Sequence, residues 1–136
     1  MKAKVLFLCT HNSARSQMAE GLLRALLGDR YDAFSAGTAP GKLNPYVVRA
    51  MAEIGIDLSK HYSKNLERFL NEDFDYVVTV CDNAKESCPY FPGGKVMLHE
   101  SFSDPSAFTG TDDEIMIGVR MVRDEIKNWI IRTFER

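Results

Sequence analysis

The stretch from Val5 to Ser16 constrains the fold of this chain more than any other. An apolar run, Val-Leu-Phe-Leu, ends at Cys9, a small polar loop follows, and a helical pattern begins beyond it. This succession predicts a buried strand, a tight loop and a helix. Successive backbone N–H groups in such a loop can ring a tetrahedral oxyanion, and the positive end of the following helix points at it. The predicted oxyanion loop consists of Cys9, Thr10, His11, Asn12, Ser13, Ala14, Arg15 and Ser16.

Cys9 is the candidate nucleophile of the oxyanion loop. The field that attracts an anion also favours the thiolate over the thiol, which makes a cysteine reactive at neutral pH. The spacing of Cys9 and Arg15 is weak evidence for an oxyanion loop on its own, but the flanking strand and helix strengthen that evidence. Asn12 tolerates the left-handed backbone that a tight anion-binding turn needs, and Ser16 is expected to cap the helix and donate a hydrogen bond to the thiolate. A buried structural cysteine beside an ordinary helix cap is the alternative.

Length and composition are typical of one globular domain covering residues 1–136. Hydrophobic residues make up 45% and charged residues 26%, and the net charge of −2 suggests neither a nucleic-acid partner nor an anionic membrane surface. The N-terminal apolar run is too short for a signal peptide or a membrane span, so we expect a cytoplasmic protein. Its cysteines, three in all, are expected to be reactive thiols rather than a disulfide framework. Nothing demands an oligomer, so a monomer is expected.

Strands and helices alternate along the chain, which predicts an α/β fold with a central four-stranded parallel sheet flanked by helices. Asn44 is the expected cap of the second helix, with Pro45 at its first helical position. The strands are predicted at 3–8, 33–37, 74–80 and 95–98, and the helices at 16–28, 45–54, 64–70, 82–87 and from 112 onward.

Cys9, Cys81 and the loop 99–111 each follow a predicted strand. The carboxyl ends of parallel strands meet at one edge of a sheet, and ligands bind there. Asp104, in that loop, could protonate an oxygen that leaves a tetrahedral centre. Asp104-Pro105 is also an ordinary start of a turn, and the residues alone leave that alternative open.

Cys81 and Cys88 are a candidate redox pair. If the segment between them is helical, their Cα atoms lie about 10 Å apart. A disulfide needs Cα atoms within about 7 Å, so bonding would require the helix 82–87 to unwind. That helix is short and is followed by Pro89, which makes it marginal. Two unrelated thiols are the alternative.

Three stretches of the sequence carry a resemblance to a known family. Cys9-Thr-His-Asn-Ser-Ala-Arg-Ser-Gln-Met-Ala-Glu-Gly21 resembles the active-site loop and first helix of the low-molecular-weight protein tyrosine phosphatase superfamily. Val78-Thr-Val-Cys81 with Cys88-Pro89, and Ser101-Phe-Ser-Asp-Pro105, resemble its thioredoxin-coupled arsenate reductase branch. The similarity covers essentially the whole chain. The three-cysteine set marks the reductases, since the phosphatases share only the loop and the Asp-Pro.

The resemblance implies an enzyme that reduces arsenate to arsenite by a thiol–disulfide relay. Arsenate, a phosphate analogue, would bind against Arg15 and the loop N–H groups while Cys9 attacks arsenic and Asp104 protonates the departing hydroxide. Cys81 would then attack the Cys9 sulfur and release arsenite, giving a Cys9–Cys81 disulfide. Cys88 would attack Cys81, leaving a Cys81–Cys88 disulfide for thioredoxin to reduce.

The chain departs from the family pattern at a cation site beside the loop. Some reductases bind potassium there, and Asn12, Glu20 and Ser35 match positions used for it. Lys64 stands near the place where an acidic ligand would be expected, so its ammonium group could take the cation's place and we expect no potassium requirement. No metal or other cofactor is expected either. The histidines, His11, His61 and His99, are not spaced from the cysteines as the ligands of a metal site would be.

Two other functions stay open from the sequence. A low-molecular-weight protein tyrosine phosphatase would hydrolyse phosphate monoesters with the same loop and acid, through a cysteinyl-phosphate. It would need neither Cys81 nor Cys88, and Ser106-Ala-Phe108 lacks the paired aromatics expected to stack on phosphotyrosine. A non-catalytic anion-binding module would need no thiol. Weak phosphatase activity could accompany reduction, because both reactions use the loop.

Overall fold

The computed structural model describes residues 2–82 and 91–135 of the chain. Its sheet has four parallel strands flanked by helices, as the sequence predicts, and the strand order, which the sequence left open, is β2-β1-β3-β4. The strands are β1 (Ala3–Cys9), β2 (Tyr31–Gly37), β3 (Phe74–Thr79) and β4 (Gly94–His99), the helices are α1 (Arg15–Leu27), α2 (Pro45–Ala52) and α3 (Asp112–Phe134), and two 3-10 turns lie at Leu66–Phe69 and Pro105–Ala107.

The register of the strands brings their carboxyl ends to one edge of the sheet. Cys9 pairs with Gly37 of β2, and Leu8 pairs with Thr79 of β3. Thr79 in turn pairs with His99 at the end of β4. The loops after β1, β3 and β4 therefore leave the sheet side by side, which is the arrangement that the order of elements predicts.

The two faces of the sheet bury different sets of side chains. Because successive side chains of a strand point to opposite faces, Val5, Phe7 and Cys9 pack on the face covered by α1, α2 and α3. Leu6 and Leu8 point to the other face. An aromatic cluster packs edge to face on that second face, with ring centroids 5.7–5.9 Å apart: Phe34, Phe69, Phe74 and Phe91.

The ends of the helices match the sequence in part. Asn44 caps α2 by accepting hydrogen bonds from the N–H groups of Tyr46 and Val47, as predicted. α2 ends at Ala52, two residues earlier than predicted, and the segment 64–70 forms only the 3-10 turn Leu66–Phe69. α3 begins with a capping box between Thr111 and Glu114, which the sequence analysis missed.

The cap predicted for α1 was wrong. The N-cap is Ala14, no side chain among the described residues caps the helix, and Ser16 lies inside it. Leu26 is 41% exposed, although the apolar spacing of Met18, Leu22, Leu23 and Leu26 predicts one buried helix face, because the last turn of α1 faces solvent. The helix predicted over 82–87 falls almost entirely on residues outside the described part of the chain. Within the described residues, no helix has the length and apolar character needed to span a membrane.

Candidate active site

Cys9 ends β1 with its side chain buried at the rim of the sheet. Its sulfur accepts a hydrogen bond from the backbone N–H of Asn12 at 3.3 Å and lies 2.8 Å from Ser16 Oγ. Asn12 Nδ2 donates to that same hydroxyl oxygen at 2.7 Å. Either atom can be the donor in the Cys9–Ser16 contact, but an ionised Cys9 sulfur can only accept, so in that state the Ser16 O–H donates to it. The Asn12 N–H and the Ser16 hydroxyl therefore both lie within hydrogen-bonding distance of the Cys9 sulfur.

Asn12 shapes the oxyanion loop. Its φ of 51° is the left-handed conformation predicted for it. Neighbouring segments hold it: Lys64 N–H donates to Asn12 Oδ1 at 2.9 Å, and Ser63 Oγ donates to the Asn12 carbonyl at 2.8 Å. Gln17 Nε2 donates to the same carbonyl and to the Tyr62 carbonyl. The buried amide is therefore tied to residues 62–64, which fixes the turn around the thiol.

The rest of the loop is held by backbone contacts to the chain after β2. The N–H groups of Ala39 and Gly41 donate to the carbonyls of Thr10 and His11, and Asn44 N–H donates to the carbonyl of Ser13. The His11 ring also hydrogen-bonds to the Ala39 carbonyl. These contacts use loop carbonyls, and the Asn12 N–H donates to the Cys9 sulfur. α1 begins at Arg15 directly behind Ala14, so the positive end of its dipole adds to the same field.

Gly37, at the end of β2, permits the close approach of this loop. A Cβ atom there would lie 2.5 Å from the Thr10 carbonyl oxygen and 3.0 Å from both the Asn12 nitrogen and the Cys9 carbonyl oxygen. Gly37 N–H also donates to the Lys64 carbonyl. Only a residue without a side chain fits between the loop and the segment that anchors it.

Arg15 and Asp104 lie together at the other end of the loop. Arg15 is 3% exposed, and its Nη1 donates to the Phe102 carbonyl at 3.2 Å. Its Nη2 lies 3.7 Å from Asp104 Oδ2, while Asp104 Oδ1 accepts from Ser106 N–H. Phe102 packs edge to face on Trp129 of α3, so the carbonyl that positions Arg15 is anchored in the core. A planar guanidinium beside a partly exposed carboxyl suits an oxyanion whose leaving oxygen takes a proton.

Cys81 follows β3 beside the end of β1, where Val80 N–H donates to the Leu8 carbonyl. Cys81 is completely buried and belongs to the same packed cluster as Cys9. It is disulfide-bonded, whereas Cys9 is a free thiol. The structure thus brings together Cys9, Arg15 and Asp104 and places Cys81 on the same rim, while Cys88 lies outside the described residues.

Glu20 and Lys64 form a buried charge pair behind the loop. Lys64 Nζ lies 3.7 Å from Glu20 Oε1, which also accepts a short hydrogen bond from Ser35 Oγ. Burial lowers the pKa of Lys64, and the charge of Glu20 opposes that shift. His61 Nδ1 contacts Gln17 Oε1 and lies 3.7 Å from Glu20 Oε2. Burial lowers the pKa of His61, again against the attraction of Glu20. The lysine ammonium therefore stands within reach of the carboxylate that the sequence analysis assigned to a cation.

A family model described as low molecular weight phosphotyrosine protein phosphatase matches residues 4–128. The chain belongs to this family. An arsenate reductase of Halalkalibacterium halodurans is 46% identical over 125 residues, covering 92% of this chain and 90% of that protein. The family resemblance drawn from the sequence is confirmed.

Solved structures extend this comparison within the phosphatase family. One described as an arsenate reductase in the phosphate binding state superposes with a TM-score of 0.82 at 30% identity, over 97% of this chain and 95% of that one. A thioredoxin-dependent arsenate reductase of Corynebacterium glutamicum gives a TM-score of 0.65 at 28% identity, and this chain, 97% covered, spans 63% of it. The fold is thus that of the family.

Several residues that build the site were not found from the sequence. Gln17 and Ser63 were missed because their role depends on the approach of residues 62–64 to the loop, which no local pattern encodes. Phe102 contributes a backbone carbonyl, so its residue type carries no signal. Gly37 had one available signal, since a glycine at the end of a strand marks a close backbone approach.

Proposed function

We propose that this chain reduces arsenate to arsenite with Cys9, Cys81 and Cys88 as successive thiols and thioredoxin as the reductant. The observation that carries the proposal is a buried second cysteine on the rim that holds the oxyanion loop. Hydrolysis would need only the loop, Arg15 and Asp104. The names of the arsenate reductases that resemble the chain support the same activity, and the thioredoxin-dependent relative supports the reductant.

The first step joins sulfur to arsenic. The Cys9 thiolate, stabilised by Ser16 and Asn12, attacks arsenic(V) of an oxyanion held by Arg15 and the loop N–H groups. An As–S bond forms, an As–O bond breaks, and Asp104 gives its proton to the departing hydroxide, which leaves as water. No electrons have yet been transferred.

The second and third steps carry the electrons. The Cys81 thiolate attacks the Cys9 sulfur, the S–As bond breaks, and arsenic takes its electron pair and leaves as arsenite. Cys88 then attacks Cys81, which frees Cys9 and moves the disulfide to Cys81–Cys88. A thioredoxin dithiol reduces that disulfide and becomes oxidised itself. In the structure Cys9 is free and Cys81 is disulfide-bonded, which is compatible with the end of this sequence.

We propose that residues 1–136 act as a single monomeric domain in the cytoplasm, without a metal or other cofactor. Phosphate monoester hydrolysis is the second candidate function, because Cys9, Arg15 and Asp104 could form and discharge a cysteinyl-phosphate without the other thiols.

The deciding experiment compares two reactions in the same variants. Arsenate-dependent NADPH consumption is measured with thioredoxin and thioredoxin reductase, and hydrolysis of p-nitrophenyl phosphate is measured separately. Cys81→Ser and Cys88→Ser should each abolish multiple-turnover reduction and leave hydrolysis largely intact. Cys9→Ser should lose both. A Cys88→Ser variant that turns over at the wild-type rate would overturn the relay and favour the phosphatase.

A further inference from the structure

A cavity of about 270 Å³ lies behind the oxyanion loop, on the outer side of residues 60–69. Four cationic side chains line it, Arg24, Lys60, Lys64 and Arg68, against a single carboxylate, Glu20. The mechanism proposed above uses none of the cations.

The one carboxylate of the cavity is already engaged. Glu20 Oε2 accepts from Arg24 Nη2 at 2.8 Å, and its Oε1 accepts from Ser35 Oγ. Arg68 has no carboxylate beside it in the described structure; its Nη1 donates to the Tyr62 hydroxyl at 2.5 Å. Lys60, exposed at the rim, makes no hydrogen bond or ion pair with another described residue. The cavity therefore keeps an excess of positive charge, which favours an anion and opposes a metal cation.

The floor of the cavity is apolar. Phe34 and Phe69 line it, with ring centroids 5.9 Å apart in an edge-to-face arrangement. Tyr62 stands at the wall, where Lys64 Nζ lies 5.1 Å from its ring centroid. A pocket with an aromatic floor and a cationic rim suits a ligand with a flat apolar body and an anionic head group. The volume fits a ligand of one or two rings.

We propose that this cavity is a binding site for an aromatic organic anion, held by Lys60, Lys64 and Arg68 above the rings of Phe34 and Phe69. The wall of the site also anchors the active-site loop, because Lys64 lines the cavity and its backbone N–H donates to Asn12 Oδ1 at 2.9 Å. A bound ligand should therefore change the environment of the Asn12 amide. The site could alter the loop in this way without contacting Cys9.

Naphthoate is a suitable first probe, since its planar head group does not match a loop built for tetrahedral oxyanions. Backbone NMR of the reduced protein should show saturable shifts in residues 60–69 and at Asn12 with one shared midpoint. Naphthalenesulfonate, titrated in parallel, shows whether the site prefers a tetrahedral sulfonate or a planar carboxylate. Binding of either probe at residues 60–69 supports the site. Naphthylmethanol lacks the charge and acetate lacks the rings, so each should bind at least about tenfold more weakly.

Matched charge reversals locate the head group. Lys60→Glu should weaken naphthoate binding about three- to tenfold, and more at low salt, because an exposed charge acts through screened attraction. Lys95→Glu, the same change on β4 and outside the cavity lining, should leave binding unchanged. The proposal is overturned by shifts confined to the oxyanion loop, by equal binding of naphthylmethanol, by equal effects of the two reversals, or by the absence of saturable binding at millimolar probe. None of these outcomes bears on the cysteine relay.

Discussion

The two ends of the oxyanion loop are built differently. At the thiol end, Cys9, Ser16 and Asn12 are buried, and hydrogen bonds from Gln17 and the segment 62–64 hold them from behind. At the acid end, Asp104 keeps 31% of its side chain exposed, and its Oδ2 lies 3.7 Å from Arg15 Nη2. Hydrogen bonds therefore hold the loop at the buried nucleophile, whereas the carboxyl at the other end is open to solvent.

This difference follows from what each end must do. A thiolate is stabilised only by donors already in place, so its end of the loop is fixed in advance. A general acid must regain its proton from solvent after each turnover, which a fully buried carboxyl could not do readily. The comparison predicts different responses to substitution at the two ends. Substitutions at the acid end should lower activity, and those at the thiol end should lower stability or the reactivity of the thiol.

Among the substitutions that leave the three cysteines in place, Asp104→Asn should give the largest effect. Without a proton to donate, arsenate reduction and ester hydrolysis should fall about 10²- to 10³-fold, with stability unchanged because the side chain is partly exposed. The loss should be larger for phenyl phosphate than for p-nitrophenyl phosphate, since the poorer leaving group needs the proton more. Asp113→Asn, on the exposed first turn of α3, is the control. Equal losses with both esters would contradict the role of an acid.

Gly37→Ala tests how tightly the thiol end is packed. A Cβ atom 2.5 Å from the Thr10 carbonyl oxygen forces the loop and β2 apart, so the free energy of unfolding should fall by about 1–3 kcal/mol. Gly41→Ala is the matched control, because its Cβ would meet only His11 Cβ, at 3.7 Å. Urea unfolding of both variants measures the difference. If the two substitutions cost the same, the close approach at Gly37 is not a constraint.

Ser16→Ala removes one of the donors aimed at Cys9 and should slow alkylation of that thiol by iodoacetamide at neutral pH about tenfold. Asn12 Nδ2 loses its acceptor in the same variant, so a part of the effect comes from weaker support of the turn at Asn12. Ser59→Ala, on an exposed turn, is the control. Mass spectrometry assigns the alkylated cysteine. A Cys9 reaction rate equal to that of the wild type would mean that the hydroxyl does not stabilise the thiolate.

The sequence predicted the local features of the thiol end, but not the contacts between distant segments that support it. The four parallel strands and the left-handed Asn12 follow from local patterns, because an apolar run and a tolerant turn residue are read directly from the neighbouring sequence. The support of Asn12 by residues 62–64 is a contact between segments some fifty residues apart. The role of Ser16 was half right: its hydroxyl reaches the thiol, but from inside the helix rather than from its cap.

His61 gives the smallest expected effect and tests the outer layer of the thiol end. Burial lowers its pKa below the ordinary 6.5, since desolvation and the charges of Arg24 and Lys64 outweigh the attraction of Glu20. The unfolded chain therefore binds the proton more readily than the folded one. Stability should be full above pH 6.5 and should fall as the pH drops through 6.5 toward the folded-state pKa. His61→Gln, which keeps a neutral donor beside Gln17, should flatten that part of the curve, measured by urea unfolding at several pH values. A variant whose stability falls with the wild-type slope would show that His61 titrates as it does in the unfolded chain, and the burial of this layer would then contribute nothing to the pH dependence of the fold.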